Sequence, residues 1–152
     1  MEPRIYTDTS VIGGCEDDEF REPSRRLIEV FQRGEMTLVL SELTVRELET
    51  APARVRAILG QVPSVHIETL ALSSEAEELA AVYVEDGAIG AHMRADALHI
   101  AIATAARVDV LVSWNFKHIV NLKRIHAYNA VNLKRGYPLL EIRTPREVPD
   151  HE

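Results

Sequence analysis

Four polar residues of this 152-residue chain stand where one regular segment gives way to the next. Asp8 follows the β-branched and aromatic run Ile5-Tyr6-Thr7, and Glu47 lies a short way beyond Thr37-Leu38-Val39-Leu40. Asp96 opens an Ala-rich stretch, and Asn115 follows Val110-Leu111-Val112. Strand ends of an open α/β sheet border the crevice where ligands bind. Carboxylates crowded there repel, carry raised pKa values and are relieved by a divalent cation. With one cysteine and no convincing histidine set, hard oxygen donors suit Mg²⁺ or Mn²⁺ better than zinc. Such a cation activates a water and offsets charge developing on a phosphodiester. Asp8 and Asp96 are the principal candidate ligands, and Glu47 binds directly or through water. For Asp8 a second reading stands beside the first, since Asp is also favoured at helix starts.

The elements that must position these groups follow from periodicity and punctuation. Strands are expected at 4–7, 37–40, 65–70, 109–113 and 139–142. An acidic loop is expected over Gly13 to Pro23, then a helix capped by Ser24 over Arg25 to Arg33 and ended by Gly34. Ser41 caps a helix through Thr50, Pro52 opens another turn, and Ser73 or Ser74 starts a helix that runs to Gly87. The run from Arg94 to Ala106 is apolar on nearly every side and predicts a helix packed deep against the sheet. A last helix spans about Asn121 to Leu133, with Gly136 as its stop. Strands alternating with helices predict a three-layer α/β domain.

Composition bounds the function classes. With 46% hydrophobic residues the chain suits one domain, residues 1–146, followed by an acidic tail over 147–152. Cys15 alone excludes an internal disulfide and fits a reducing cytoplasm. No stretch has the length and apolarity of a membrane span. The net charge of −7 argues against a nucleic-acid partner, yet it is unevenly spread. Residues 1–106 carry 9 Lys and Arg against 19 Asp and Glu, whereas 107–146 carry 8 against 2. A basic surface beside an acidic pocket suits an enzyme that holds a polyanion against metal-binding carboxylates.

The segments Tyr-Thr-Asp8-Thr-Ser, Leu-Thr-Val-Arg-Glu47-Leu, Ala-Asp96-Ala-Leu-His-Ile-Ala and Leu-Val-Ser-Trp-Asn115-Phe-Lys-His together resemble the PIN-domain nucleases, the family of the VapC-type toxins. In order and spacing they cover most of the chain. The resemblance implies a three-layer α/β/α PIN-like domain around a central, mostly parallel five-stranded sheet. It also implies an Mg²⁺- or Mn²⁺-dependent endoribonuclease whose catalytic residues are Asp8, Glu47, Asp96 and Asn115. It further implies the toxin role in a toxin-antitoxin pair, an antitoxin partner and a homodimer. The chain departs from the family at position 115, where an acid is usual. Asn115 can offer a carbonyl oxygen but lacks the charge that favours a second metal. Asp109 does not replace it, lying about 13 Å away at the other end of the strand.

Lys117, His118, Lys123 and Arg124 are the candidate phosphate contacts, with a solvated helix face as the plainer reading. Trp114 and Phe116 either stack on a base or pack the loop. His92, Asp96 and His99 share a helical face, but His99 in so apolar a run reads as a buried, hydrogen-bonded histidine. Thr9, Ser10 and Ser113 orient a ligand or make local turn bonds. Two rival functions remain: a degenerate PIN domain that binds RNA or a protein partner without cleaving, and an aspartyl phosphotransfer enzyme. The latter generally has an acid two residues after the first, where Ser10 stands.

Overall fold

The computed structural model describes residues 2–148, so most of the expected tail, 149–152, lies outside the described residues. Among the described residues five strands form one sheet: β1 (Arg4–Thr7), β2 (Thr37–Ser41), β3 (Ile67–Leu70), β4 (Val110–Val112) and β5 (Ile142–Arg143). Every pairing is parallel, rather than most of them, and the order is β3-β2-β1-β4-β5. The order reverses at β1, so the crevice at a switch point opens beyond the carboxyl ends of β1 and β4.

Among the described residues seven α-helices cover both faces: α1 (Thr9–Gly14), α2 (Arg21–Gln32), α3 (Glu42–Leu48), α4 (Ala53–Arg56), α5 (Ser74–Glu85), α6 (Arg94–Ala105) and α7 (Leu122–Lys134). Strand alternation divides the core between them. Ile5, Leu38, Leu40 and Val112 join Val11, Leu27, Phe31 and Trp114 in one cluster under α1 and α2. Tyr6, Val39 and Leu111 face the other way, into a cluster with Leu79, Tyr83, Ile100 and Tyr128 from α5, α6 and α7. α6 is buried along most of its length, as its composition requires. The buried Tyr83 hydroxyl ties α5, α6 and α7 together by donating to Asn132 Oδ1 at 2.5 Å while its oxygen lies 3.3 Å from the Thr104 hydroxyl.

The third strand starts at Ile67 rather than 65, because Ser64–His66 form a 3-10 turn, and three further boundaries differ from expectation, each for a local reason. Residues 9–14 are helical, because the Asp8 carboxylate caps Ser10 N–H and Val11 and Ile12 turn into the core. The next helix starts at Arg21, not Arg25, since Pro23 is tolerated in a first turn. Ser24 is therefore no cap: it lies buried inside α2 and accepts Trp114 Nε1–H at 2.8 Å. The last strand begins at Ile142 because Asn129 takes both backbone groups of Leu140, accepting its N–H at 2.8 Å and donating to its carbonyl at 3.1 Å. Cys15 is buried at the end of α1, and burial pushes its thiol up to about 11.

The Ser24–Trp114 contact also explains Gly14, where a Cβ would sit 2.6 Å from Ser24 Oγ and 2.8 Å from Trp114 Nε1. Ser24→Ala is expected to lower unfolding free energy by about 1–3 kcal/mol, the cost of an orphaned buried donor, measured by urea denaturation.

Candidate active site

Asp8 stands at the carboxyl end of β1 with 5% of its surface exposed. Its Oδ1 accepts Ser10 N–H at 3.1 Å and Ser10 Oγ–H at 2.6 Å, and its Oδ2 accepts Ser113 Oγ–H at 2.7 Å. Both hydroxyls are anchored in turn, Ser10 Oγ by Trp114 N–H and Ser113 Oγ by Asn115 N–H, each at 2.9 Å. Burial raises the Asp8 pKa against the opposing pull of His99 and these donors. Asp8 is thus both a helix cap and an acid beside the crevice.

Glu47, on α3, reaches back toward β1. Its Oε1 accepts the Thr9 hydroxyl and His99 Nε2–H, the latter at 3.0 Å. Burial works to raise its pKa, but the bonds from His99 and Thr9 outweigh that and hold it below the usual carboxylate range. One of the three acids is therefore kept ionised rather than raised, unlike the expectation for a bare carboxylate cluster. His99 is 3% exposed, and its Nδ1 lies 2.6 Å from the Tyr6 hydroxyl, which lies 2.8 Å from Ser41 Oγ. The expected buried, hydrogen-bonded His99 is what the fold contains, while His92 sits in an exposed turn ahead of α6.

Asp96, half-buried in the first turn of α6, accepts Asn115 Nδ2–H at 3.2 Å. Burial raises its pKa, His99 and His118 oppose the rise, and the like charge of Glu47 adds to it. Asn115 Oδ1 accepts the backbone N–H groups of Lys117 at 3.2 Å and His118 at 2.9 Å. The amide therefore closes the turn after β4 with its oxygen and turns its N–H toward Asp96. Asp109 lies at the opposite end of β4, where Oδ2 accepts Arg4 N–H at 2.7 Å.

The loop after β4 thus joins two of the acids, Ser113 holding Asp8 and Asn115 holding Asp96, while Thr9 and His99 hold Glu47. As the side chains stand, no three His, Cys, Asp or Glu residues among the described residues are grouped to share an ion. The donor set is nonetheless chemically apt for Mg²⁺ or Mn²⁺, all carboxylate oxygen, with Asp96 and Glu47 already close enough to repel. Glu47 Oε2 and Asp96 Oδ1 accept from no protein donor among the described residues.

The basic candidates are less uniform. Lys117 and Lys123 are exposed, whereas Arg124 donates to the Ala88 carbonyl at 2.8 Å and His118 is half-buried beside Asp96. His118 Nδ1 is the one buried side-chain nitrogen or oxygen among the described residues without a hydrogen-bond partner. Trp114 packs the loop, stacked on Phe20 at 4.2 Å, with the Arg146 guanidinium 4.9 Å from its ring and 6.0 Å from that of Phe20. Phe116 is 49% exposed at the edge of that stack. Sequence reasoning passed over Tyr6 and Ser41 as site residues. Their signal was a hydroxyl next to the apolar residues of two central strands, beside Ile5 in β1 and after Leu38-Val39-Leu40 in β2.

Similarity to solved structures decides the fold. FitAcB from Neisseria gonorrhoeae superposes with a TM-score of 0.60 at 15% identity, over 95% of this chain and 99% of its own. VapBC2 from Rickettsia felis, solved with a fragment of promoter DNA, gives 0.56 at 15% identity over 93% and 98%. The chain has a PIN-like fold. VapC20 from Mycobacterium tuberculosis, a sarcin-ricin loop cleaving toxin, matches this PIN-like domain at 0.57 and 14% identity, over 74% of this chain and 91% of that one. No family model matches the sequence, and no curated protein matches it. No helix among the described residues is long and apolar enough to cross a membrane.

Proposed function

We propose that this PIN-like domain is an Mg²⁺- or Mn²⁺-dependent endoribonuclease, the toxin of a toxin-antitoxin pair acting in the cytoplasm. The observation that carries the reading is that Asp8, Glu47 and Asp96, from three different elements, all interact with the one buried His99 beside the switch point of a parallel sheet. Asp96 and Glu47 would hold the cation through their unengaged oxygens, with Asp8 beside them. A cation bound there supplies Lewis-acid stabilisation of the phosphate and a more acidic water. The chain itself holds Glu47 ionised through His99 and Thr9, and seats Asp8 on Ser10 and Ser113. The neutral Asn115 argues for one cation rather than two. Lys117 and Lys123 supply phosphate contacts beside the crevice. The cleaving-toxin description of VapC20 and the VapBC2 assembly on promoter DNA support the RNA substrate and the antitoxin partner. A homodimer belongs to the same reading.

The test is cleavage of a mixed panel of bacterial RNAs with Mn²⁺, with EDTA, and by the Asp8→Asn/Asp96→Asn double variant. Cleavage that requires the metal and both aspartates is expected. Metal-independent cleavage, or cleavage by the double variant, overturns the proposal. Replacing Lys117 and Lys123 with Ala is expected to weaken RNA binding and to reduce the slope of log affinity against log salt by about 1 per lysine. A second reading, binding without cleavage, is favoured by the way Asn115 spends its oxygen on backbone N–H groups and presents an N–H to Asp96. Mn²⁺ binding that is absent or indifferent to Asp8 and Asp96, with RNA affinity retained, selects it.

A further inference from the structure

Behind the acids a file of buried side chains runs through the domain: Thr44 N–H donates to Ser41 Oγ, Ser41 meets Tyr6, Tyr6 meets His99, and His99 meets Glu47. The distances from Ser41 to Tyr6, Tyr6 to His99 and His99 to Glu47 are 2.8, 2.6 and 3.0 Å. Tyr6 is 0% exposed and His99 3%, so neither is placed to touch a substrate. A carboxylate offers only lone pairs, so His99 Nε2 must carry the hydrogen that Glu47 accepts, in either charge state of the ring. In the neutral ring Nδ1 then accepts from Tyr6, whose oxygen accepts from Ser41. The ring is further fixed by edge-on packing against Tyr6, centroids 5.7 Å apart at 64°.

We infer that His99 and Tyr6 are positioning residues that lock Glu47 in one orientation. His99 and Thr9 saturate Oε1, and Oε2 is left as the single oxygen presented toward Asp96. The inference deepens the metal-dependent reading of this site and rests on it for its functional consequence, but the locking itself is a property of the metal-free protein. Partners that orient a ligand from behind typically change metal affinity 10–100-fold when lost. Core packing alone predicts something different, because it depends on the volume of the ring and not on where a donor points.

Two amides separate these roles. In His99→Gln the terminal amide reaches the place of Nε2 and can donate to Glu47. In His99→Asn the shorter amide reaches only the place of Nδ1, facing Tyr6. The experiment measures Glu47 side-chain order by NMR relaxation in metal-free protein, and Mn²⁺ affinity by calorimetry, for the parent, His99→Gln, His99→Asn and Tyr6→Phe. Glu47 is expected to be ordered in the parent and His99→Gln and mobile in His99→Asn. Mn²⁺ affinity should stay within about threefold in His99→Gln and fall at least tenfold in His99→Asn. Tyr6→Phe keeps the packed ring and removes only the hydroxyl, and is expected to loosen Glu47 to an intermediate degree. It carries the test if either His99 variant fails to fold. Equal Glu47 order in all folded variants overturns the inference. A parent that binds no Mn²⁺ while showing the expected pattern of order leaves the positioning role standing and removes the metal reading instead.

Discussion

Asp8→Asn is expected to reduce metal-dependent RNA cleavage at least a hundredfold while the metal-free protein melts within about 3 °C of the parent or above it. Both halves follow from the same environment. Asn caps a helix as well as Asp does, so Ser10 N–H keeps its acceptor. The new amide N–H can donate to Ser113 Oγ, whose own hydrogen turns to Ser10 Oγ 3.4 Å away, so both serine hydroxyls keep partners. Burial raises the Asp8 pKa in the folded state. The stability from this group is therefore present below its unfolded value of about 3.9 and is lost as pH rises through the folded value. At neutral pH the raised pKa of Asp8 is therefore a cost to the metal-free fold, which Asn removes. Glu47 runs in the opposite sense: its folded pKa is lowered, so its contribution is present above its unfolded value and is lost as pH falls. Melting in EDTA from pH 4 to 7 should show the parent losing, relative to Asp8→Asn, the part due to Asp8 as pH rises. Retained cleavage, or a melting temperature well below the parent's, would mean that Asp8 is a cap and nothing more.

Asn115→Asp is expected to tighten Mn²⁺ binding about tenfold and to destabilise the metal-free protein, both from one added charge. The Asn115 amide now donates to Asp96 across 3.2 Å. Its replacement by carboxylate sets oxygen against oxygen, a repulsion of about 4 kcal/mol for unit charges 4 Å apart at an effective dielectric of 20. Asp96 is only half-buried and can take up a proton, so roughly 1–2 kcal/mol is expected to survive as lost stability. The turn itself is preserved, because an Asp oxygen can still accept the N–H groups of Lys117 and His118. Calorimetry with Mn²⁺ and denaturant unfolding in EDTA measure the two effects. Unchanged affinity beside reduced stability would show that residue 115 faces Asp96 but not the cation.

Much of this architecture is legible residue by residue. Ser41 and Ser73 cap the helices their types announce, and Gly136 stops α7 at a φ of 83° that other residues rarely adopt. Ser24 was misleading because a serine favoured at helix starts also fits inside a helix when a buried donor needs an acceptor, and that donor, Trp114, lies 90 residues away. The last strand shifted because Asn129 imitates a neighbouring strand's backbone, which periodicity cannot reveal.

The sequence by itself determined the alternation of strands and helices, the deep burial of α6 and the placing of Asp8 and Asn115 just past strand ends, since apolar patterning and caps act over a few residues. Only the tertiary structure decided that β1 lies beside β4, that Ser113 reaches Asp8 across 105 residues, and that Tyr6 and His99 stand behind Glu47. Those contacts depend on strand order and register, and a slip of one residue would turn each side chain to the opposite face.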